Sequence, residues 1–317
     1  MPAHNQANEP INTHILCVGA AVLDTIFRVS TIPSGQGKVL PSAMLQVAEG
    51  MASSAAYAIA QMGGRVSLWS SVGDDAAGAQ ILQDLNACGI DVSGVVEVEG
   101  ARSALSTILV DDNGERLIVP FYDPLLHRVP KPFTPDDLKQ FDAVLVDVRW
   151  PELAYEVLKE AKALGIAAIL DGDVAPVETL KHLASEATHI IFSEPAAASL
   201  TSQSDGATML TAIRQMIPQA FISVTFGEKG SFWMEAGSHT VQYHTTLHVD
   251  AVDTLAAGDV FHGTFAQGLA ERLPTVEIVR LASAAAALKC KVIGGRLGTP
   301  TREETEAAVK NWIGNST

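Results

Sequence analysis

Little in this sequence suits a membrane, a disulfide scaffold or a nucleic-acid partner. No run of about eighteen apolar residues exists that would cross a bilayer as a helix. Cysteine is sparse: Cys17, Cys88 and Cys290 are widely spaced and form no Cys-x-x-Cys pair, the pattern of reduced thiols in a cytoplasmic protein. Basic residues are scarce. Lys and Arg number 21 against 36 Asp and Glu, and the net charge of −15 works against nonspecific binding to nucleic acid or an anionic membrane. It says nothing against a small anion held by a local positive site. Residues 1–13 are polar, carry no apolar signal-peptide core and read as a flexible tail before a single domain over 14–317. Two nucleotide signatures are also missing. The first apolar run leads into Gly19-Ala-Ala-Val22 without Gly-x-Gly-x-x-Gly, which disfavours a dinucleotide-dependent dehydrogenase. Gly37-Lys38 is followed by Val39 where a P-loop needs Ser or Thr.

What is present reads as a well-buried globular fold, with 47% hydrophobic and 18% charged residues. Ile15-Leu-Cys-Val-Gly19 predicts a buried strand with Cys17 as core filler. Ala52–Met62 predicts a helix closed by Gly63-Gly64, Val66–Val72 a strand, and Ala76–Ala87 a second helix. Thr107–Val110 and Arg116–Val119 flank a hairpin signal at Asn113-Gly114. From residue 141 the segments alternate: strand Ala143–Asp147, helix Pro151–Leu164, strand Ala167–Asp171, helix Val177–Ala184, then strands His189–Phe192 and Ala220–Thr225. Strands separated by helices imply right-handed crossovers and a doubly wound, mostly parallel α/β sheet. Ligands of such sheets bind beyond the carboxyl ends of the strands, which draws attention to Asp147, Asp171, Ser193 and Thr225. Parts of 25–50 and 95–122 are expected to form a small β-sheet lid.

The chemistry concentrates in Val249–Phe265. Its first part is strand-like, and the part after Gly258 reads as a helix to about Ala270. Ala256, Ala257 and Gly258 then lie at a helix N-terminus, where the first amides lack intrahelical partners and, with the helix dipole, form an anion site. A transferring phosphoryl group needs such donors. Asp259 falls in the first turn, placed to take the proton of an attacking hydroxyl. Alone, it reads more readily as an acidic residue of an ordinary first turn. Asp253, the small-residue run and Gly258 together favour the chemical reading.

Asp253-Thr-Leu-Ala-Ala-Gly-Asp259 resembles the C-terminal signature of the ribokinase-like (pfkB-type) sugar kinases, most of which carry Gly-Ala-Gly before the second aspartate. The resemblance covers roughly residues 14–305 and implies a ribokinase-like fold, ATP-dependent sugar phosphorylation, and ATP with magnesium as ligands. It implies Asp259 as base and the amides of 256–258 as anion hole. It also implies a monovalent cation, potassium, at Asp253 and the Leu255 carbonyl, with further carbonyls from 289–299. Gly19-Ala-Ala-Val-Leu-Asp24 is similar to the first-strand motif whose aspartate holds sugar hydroxyls. In Glu49-Gly50-Met-Ala-Ser-Ser54 the chain keeps Gly50 but has Glu49 for a glycine and Ser54 for an asparagine. Val224-Thr-Phe-Gly-Glu-Lys-Gly230 resembles the nucleotide loop, with Thr225 and Gly227 approaching ATP and Gly230 in the tight turn. A helix over 283–289 is implied to flank the adenine through Ala286. Ser193, in Phe192-Ser-Glu-Pro195, takes the place of an asparagine that organises magnesium-bound water. A homodimer joined through the lid sheets is implied as well.

Several strings are similar to one branch, the 6-deoxy-6-sulfofructose kinases: Asp147-Val-Arg-Trp150, Leu170-Asp-Gly-Asp173, Asp259-Val-Phe-His-Gly263 and Gly294-Gly-Arg-Leu-Gly298 among them. Arg149, at a strand end, has a fork suited to sulfonate or phosphate oxygens, and Lys38 would add a second positive charge. Pro120-Phe121 departs from that branch. The expected substrate is a furanose-type sugar, with a ketohexose derivative favoured. Ribose, a keto-deoxy sugar acid, and a non-catalytic sugar- or nucleotide-binding regulator of the same fold are the alternatives.

Overall fold

The computed structural model describes residues 12–128 and 131–314. The chain begins with β1 (His14–Val18) and passes into β2 (Val22–Arg28) and β3 (Ala43–Glu49) before α1 (Met51–Gln61). Next come β4 (Arg65–Trp69), β5 (Ser71–Gly73), α2 (Ala76–Ala87), β6 (Val96–Val98), β7 (Ala104–Val110) and β8 (Arg116–Phe121). The alternating half follows: α3 (Pro135–Leu138), β9 (Ala143–Val146), α4 (Pro151–Ala163), β10 (Ala167–Gly172), α5 (Val177–Ala184), β11 (His189–Ser193), α6 (Glu194–Thr201), α7 (Gly206–Met216) and β12 (Phe221–Thr225). The chain closes with β13 (Ser231–Met234), β14 (Gln242–His244), α8 (Ala257–Ala270), α9 (Thr275–Lys289) and α10 (Arg302–Gly314).

The main sheet runs β14-β13-β12-β11-β10-β9-β1-β4. Its pairs are parallel from β12 to β4, and β13 and β14 add antiparallel strands at one edge. This is the doubly wound sheet the sequence predicts. The period-two alternation of β1 divides the core. Leu16 and Val18 pack on the side covered by α4 to α7, whereas Ile15 and Cys17 face the side of α1, α8 and α9. Helix α4 shows the matching helical period: Leu153, Ala154, Val157, Leu158 and Ala161 are buried, and Pro151 sits in its first turn, where a missing N–H does no harm.

A second sheet, β3-β2-β7-β8, forms the lid. It starts at Val22, and within 95–122 the strand β6 pairs with β5 instead of joining it. The expected strand Val66–Val72 is interrupted at Ser70, whose hydroxyl donates to the Gly19 carbonyl at 2.6 Å as the chain turns off the main sheet. The expected strand at the start of Val249–Phe265 is irregular chain. The amides of Val252 and Asp253 both donate to the Cys290 carbonyl at the end of α9, so no ladder forms there. Residues 1–11 of the expected tail lie outside the described residues. Thr13 is buried, its hydroxyl exchanging hydrogen bonds with the Gln267 side chain at 3.0 and 2.9 Å. Among the described residues no helix is long and apolar enough to cross a membrane.

One carboxylate joins the two sheets. Asp147, just past β9, accepts from the amides of Ala20, Ala52 and Arg149 at 2.8, 3.1 and 2.8 Å. Those amides belong to the turn leading into the lid, the first turn of the helix leaving it, and the loop before α4. Gly19 packs against this carboxylate so closely that a Cβ would lie 2.1 Å from its carbon. Gly50, at φ 112°, passes the Ala20 carbonyl where a Cβ would stand 2.6 Å from the oxygen.

Candidate active site

Helix α8 begins where the small-residue run predicts. Ala256 is its N-cap, held at φ 61° in the left-handed region, a conformation that costs a non-glycine residue roughly 1–2 kcal/mol. The first intrahelical bond is from the Val260 amide to the Ala256 carbonyl, at 2.9 Å. The Ala257 amide turns back to the Thr254 carbonyl at 3.3 Å. Among the described residues the amides of Ala256, Gly258 and Asp259 take no backbone partner, so the concave donor set includes Asp259 itself, one residue beyond the expected 256–258.

Asp259 is half-buried at this terminus. Burial raises its pKa well above the ordinary carboxylate range, and the carboxylates of Asp171, Glu49, Asp173 and Asp147 push in the same direction. Asp171, at the end of β10, is likewise raised by burial and by Asp173 and Asp147. A base kept in this state binds its proton more tightly than a surface aspartate would, which suits it to receive one from a hydroxyl. His262 sits one turn along α8. Its Nδ1 meets the Gly258 carbonyl at 2.7 Å, and its Nε2 lies 3.2 Å from the Ile191 carbonyl and 3.4 Å from the Asp171 carboxylate. It thus fixes the α8 terminus to the ends of β10 and β11.

Asp24 lies in the lid strand β2, buried, with its carboxyl pushed up to about 8 by burial and by the nearby Glu49. Glu49 ends β3 and is buried; burial pushes it up to about 7, against the opposing pull of Ser54 and Arg296. Its oxygens accept from the Ser54 hydroxyl at 2.6 Å and from the Arg296 amide at 2.7 Å. The Arg296 side chain, fully buried, donates to the Ala48 carbonyl, pairs with Asp84 at 2.9 Å and lies over the Tyr57 ring. Glu49 and Ser54, which replace the family's glycine and asparagine, are therefore part of a buried network behind Gly50.

The residues expected to hold a nucleotide come together. Thr225, Gly227, Gly230, Ala257, Gly258 and Ala286 line one cavity beside the α8 terminus. A second cavity of about 380 Å³ shares Gly227, Thr246, Ala257 and Ala286 and extends along His248 and Cys290. Gly227 and Gly230 have φ of 55° and 87°, and a Cβ on Gly230 would strike the His244 carbonyl at 2.2 Å. Ser231, Thr246, Phe261 and Ser283 also line the cleft but were not singled out in the sequence. A larger cavity of about 840 Å³ lies at the opposite, amino end of β11 and β12, against Thr188, His189 and Ala220. It contains none of the site residues, and strand-end logic favours the smaller cleft.

Arg149 sits just past β9. Its guanidinium reaches the Asp173 carboxylate at 3.4 Å and the Val174 carbonyl at 3.2 Å. Ser193 caps α6 and donates to Asp173 at 3.0 Å. Lys38 is exposed on the loop between β2 and β3, outside this hydrogen-bonded network. Tyr122, just past β8, was not anticipated. Its side chain is partly exposed; the buried part of the ring raises its phenol, with Asp147, Asp24 and Asp259 adding to the rise and Arg149 opposing it. Asp253 is buried and its carboxylate is surrounded by donors. Oδ1 accepts from the Leu255 amide at 2.8 Å; Oδ2 accepts from the Gly294 and Gly295 amides at 2.9 and 3.1 Å and lies 3.3 Å from Lys289 Nζ.

Comparison with known proteins places this geometry. Residues 12–302 match the profile of the pfkB family carbohydrate kinases. A ribokinase of Bacillus subtilis (strain 168) is 28% identical over 302 residues, spanning 92% of this chain and 98% of that protein. A crystal structure of an Agrobacterium tumefaciens protein, provisionally assigned as a ribokinase, shares 62% identity with a TM-score of 0.94, over 95% of this chain and 99% of that one. An Arabidopsis thaliana ribokinase solved with ribose and ATP is 22% identical and shares the fold, with a TM-score of 0.81 over 94% of this chain and 99% of that one.

Proposed function

The chain belongs to the pfkB family of carbohydrate kinases and is an ATP-dependent sugar kinase; we propose that its acceptor is a furanose-type sugar, a fructose-like ketohexose derivative above others. The observation that carries the catalytic assignment is the Asp259 carboxylate, with its raised pKa, at the head of a helix where the amides of Ala256, Gly258 and Asp259 take no backbone partner.

In this reading ATP lies along the 225–230 turn and the α9 face at Ala286, with its γ-phosphoryl group before Ala256, Gly258 and Asp259. The sugar lies between Asp24, Gly50, Arg149 and the lid edge at Tyr122. Asp259 takes the proton of the attacking hydroxyl as its oxygen bonds to phosphorus. The bond from phosphorus to the bridging oxygen breaks, and ADP leaves with that electron pair. The free amides stabilise charge on the transferring oxygens. Asp173, half-exposed and held by Ser193 and Arg149, offers the hard oxygen donor that a magnesium ion prefers. Bound with the triphosphate, magnesium would neutralise charge on the oxygens being transferred.

The fructose-like acceptor is supported by the local strings at 147–150, 170–173 and 259–263 and by the carboxylates of Asp24, Asp173 and Asp259, which suit a hydroxyl-rich neutral sugar. A second reading, ribose, is favoured by the ribokinases among the relatives. ADP release measured over fructose, tagatose, ribose, sulfofructose and keto-deoxy sugar acids separates them. A kcat/KM for ribose above that for every ketohexose would replace the acceptor, and no ADP release with any sugar would favour a binding regulator. We also propose a homodimer through the lid, because Met44, Leu117, Val119 and Phe121 expose apolar surface there. Sedimentation of the wild type against Val119→Asp tests it: a wild-type monomer would end that proposal.

A further inference from the structure

The family resemblance implies a monovalent cation at Asp253 and Leu255, but the atoms present do not fit one. A cation needs oxygen lone pairs turned toward it. Here the Asp253 carboxylate already faces the amides of Leu255, Gly294 and Gly295. The 289–299 stretch brings N–H groups to this point where a cation would require carbonyls. The same stretch begins with Lys289, whose side chain is fully buried and whose Nζ donates to the Asp253 carbonyl at 2.8 Å while lying 3.3 Å from its carboxylate. A second positive charge would meet this ammonium with almost no solvent between them.

We propose that the Lys289 ammonium is a covalently tethered monovalent cation, which holds the Asp253–Ala256 loop in the shape that opens the anion cradle and removes the requirement for potassium. Two observations besides the contact itself support this. The Val252 and Asp253 amides both donate to the Cys290 carbonyl, so the loop is fastened to the end of α9 at the residue next to Lys289. Ala256, three residues beyond Asp253, is held at φ 61°, a conformation that persists only where the surroundings enforce it. A buried charge pair of this kind is disrupted severely when one member is removed. Lys289 touches no reacting atom and is a positioning residue.

The inference rests on the kinase reading only for its activity arm; a thermal-unfolding arm stands without it. The wild-type protein, Lys289→Ala and Lys289→Met are exchanged into tetramethylammonium chloride, and potassium or ammonium chloride is substituted at constant ionic strength. Wild-type turnover and unfolding temperature should be indifferent to the substitution. Lys289→Ala should lose turnover by about 10–100-fold, as expected for an outer-shell support of a reactive centre. Potassium or ammonium should restore it saturably, and the unfolding temperature of that variant should rise with the same midpoint. Lys289→Met, which fills the space, should lose turnover without rescue. Saturable activation or stabilisation of the wild type by potassium would overturn the proposal, and that arm needs no variant to fold. Normal turnover of Lys289→Met in tetramethylammonium would overturn it as well. If no sugar supports turnover, the kinase assignment fails while the unfolding arm still decides the cation question.

Discussion

The Ser54 hydroxyl donates a 2.6 Å hydrogen bond to the Glu49 carboxylate. These two residues replace a glycine and an asparagine of the family pattern, and the bond makes them a single coupled change. Because the other Glu49 oxygen accepts from the Arg296 amide at 2.7 Å, the pair also ties the 294–298 turn to the start of α1. Glu49→Ala would strand both donors in the interior. A loss of about 1–3 kcal/mol is expected from each buried group left unpaired, measured by denaturant unfolding. Loss within experimental error would mean that the network is filled by water.

The pH dependence of stability follows from the same place. Glu49 is raised to about 7 and Asp24 to about 8, so between their unfolded values near 4 and these folded values the native state holds protons that the unfolded chain has released. Stability therefore falls as pH rises through that window. Unfolding temperature is expected to drop from pH 5 to pH 8, and Glu49→Gln should flatten the drop. A profile that rises over this range would contradict the assignment.

Asp259→Asn is expected to lower kcat by about 10²–10⁴-fold, the usual contribution of a positioned base, while ATP affinity by calorimetry changes little. Turnover near the wild-type value would place the base elsewhere.

Arg149 is already engaged by Asp173 and the Val174 carbonyl. Arg149→Ala should therefore raise KM by roughly the same factor for a neutral and a sulfonated ketohexose, with kcat much less affected, as for a contact equal in ground and transition states. A loss confined to the sulfonated sugar would show that the guanidinium grips the anionic group.

Gly50→Ala tests the backbone at the sugar end of the site. The glycine has φ 112° and leaves a Cβ only 2.6 Å from the Ala20 carbonyl, so a destabilisation of about 1–3 kcal/mol is expected with a raised KM for sugar. Unfolding by chemical denaturant and initial rates report on the two effects separately.

The features legible in the sequence are those written in short stretches. The strand ends at Asp147, Asp171 and Thr225, the helix boundaries at Ala76–Ala87 and Val177–Ala184, and the small-residue start of α8 each depend on local periodicity and local turn chemistry. Lys289 and Arg296 look in sequence like ordinary basic residues, one at a helix end and one in a glycine-rich turn. Their partners, Asp253 for one and Ala48 and Asp84 for the other, lie far away along the chain, and no local pattern marks a buried ion pair. The missing strand before α8 has the same origin: apolar Val249 and Val252 suggest a ladder, but the distant Cys290 carbonyl claims the amides that would have formed it. Tyr122 feels the charges of Asp24 and Asp147 through a pairing no local pattern marks, that of β8 with β7 across the lid.

The three amides gathered by Asp147 give the lid a mechanical property. The segment entering the lid and the helix leaving it are pinned to one side chain, and that point is a natural pivot for any rotation of the second sheet. Displacement grows with distance from a pivot. Gly50 and Asp24 lie next to it and would scarcely move, whereas the far ends of β2, β7 and β8 would sweep widest. Sugar contacts at the pivot could thus persist while the outer edge admits or releases ligand, on the microsecond-to-millisecond scale of hinge motions. Asp147→Asn, which weakens three acceptor bonds without emptying the space, would be felt in the rate of opening more than in the strength of sugar binding.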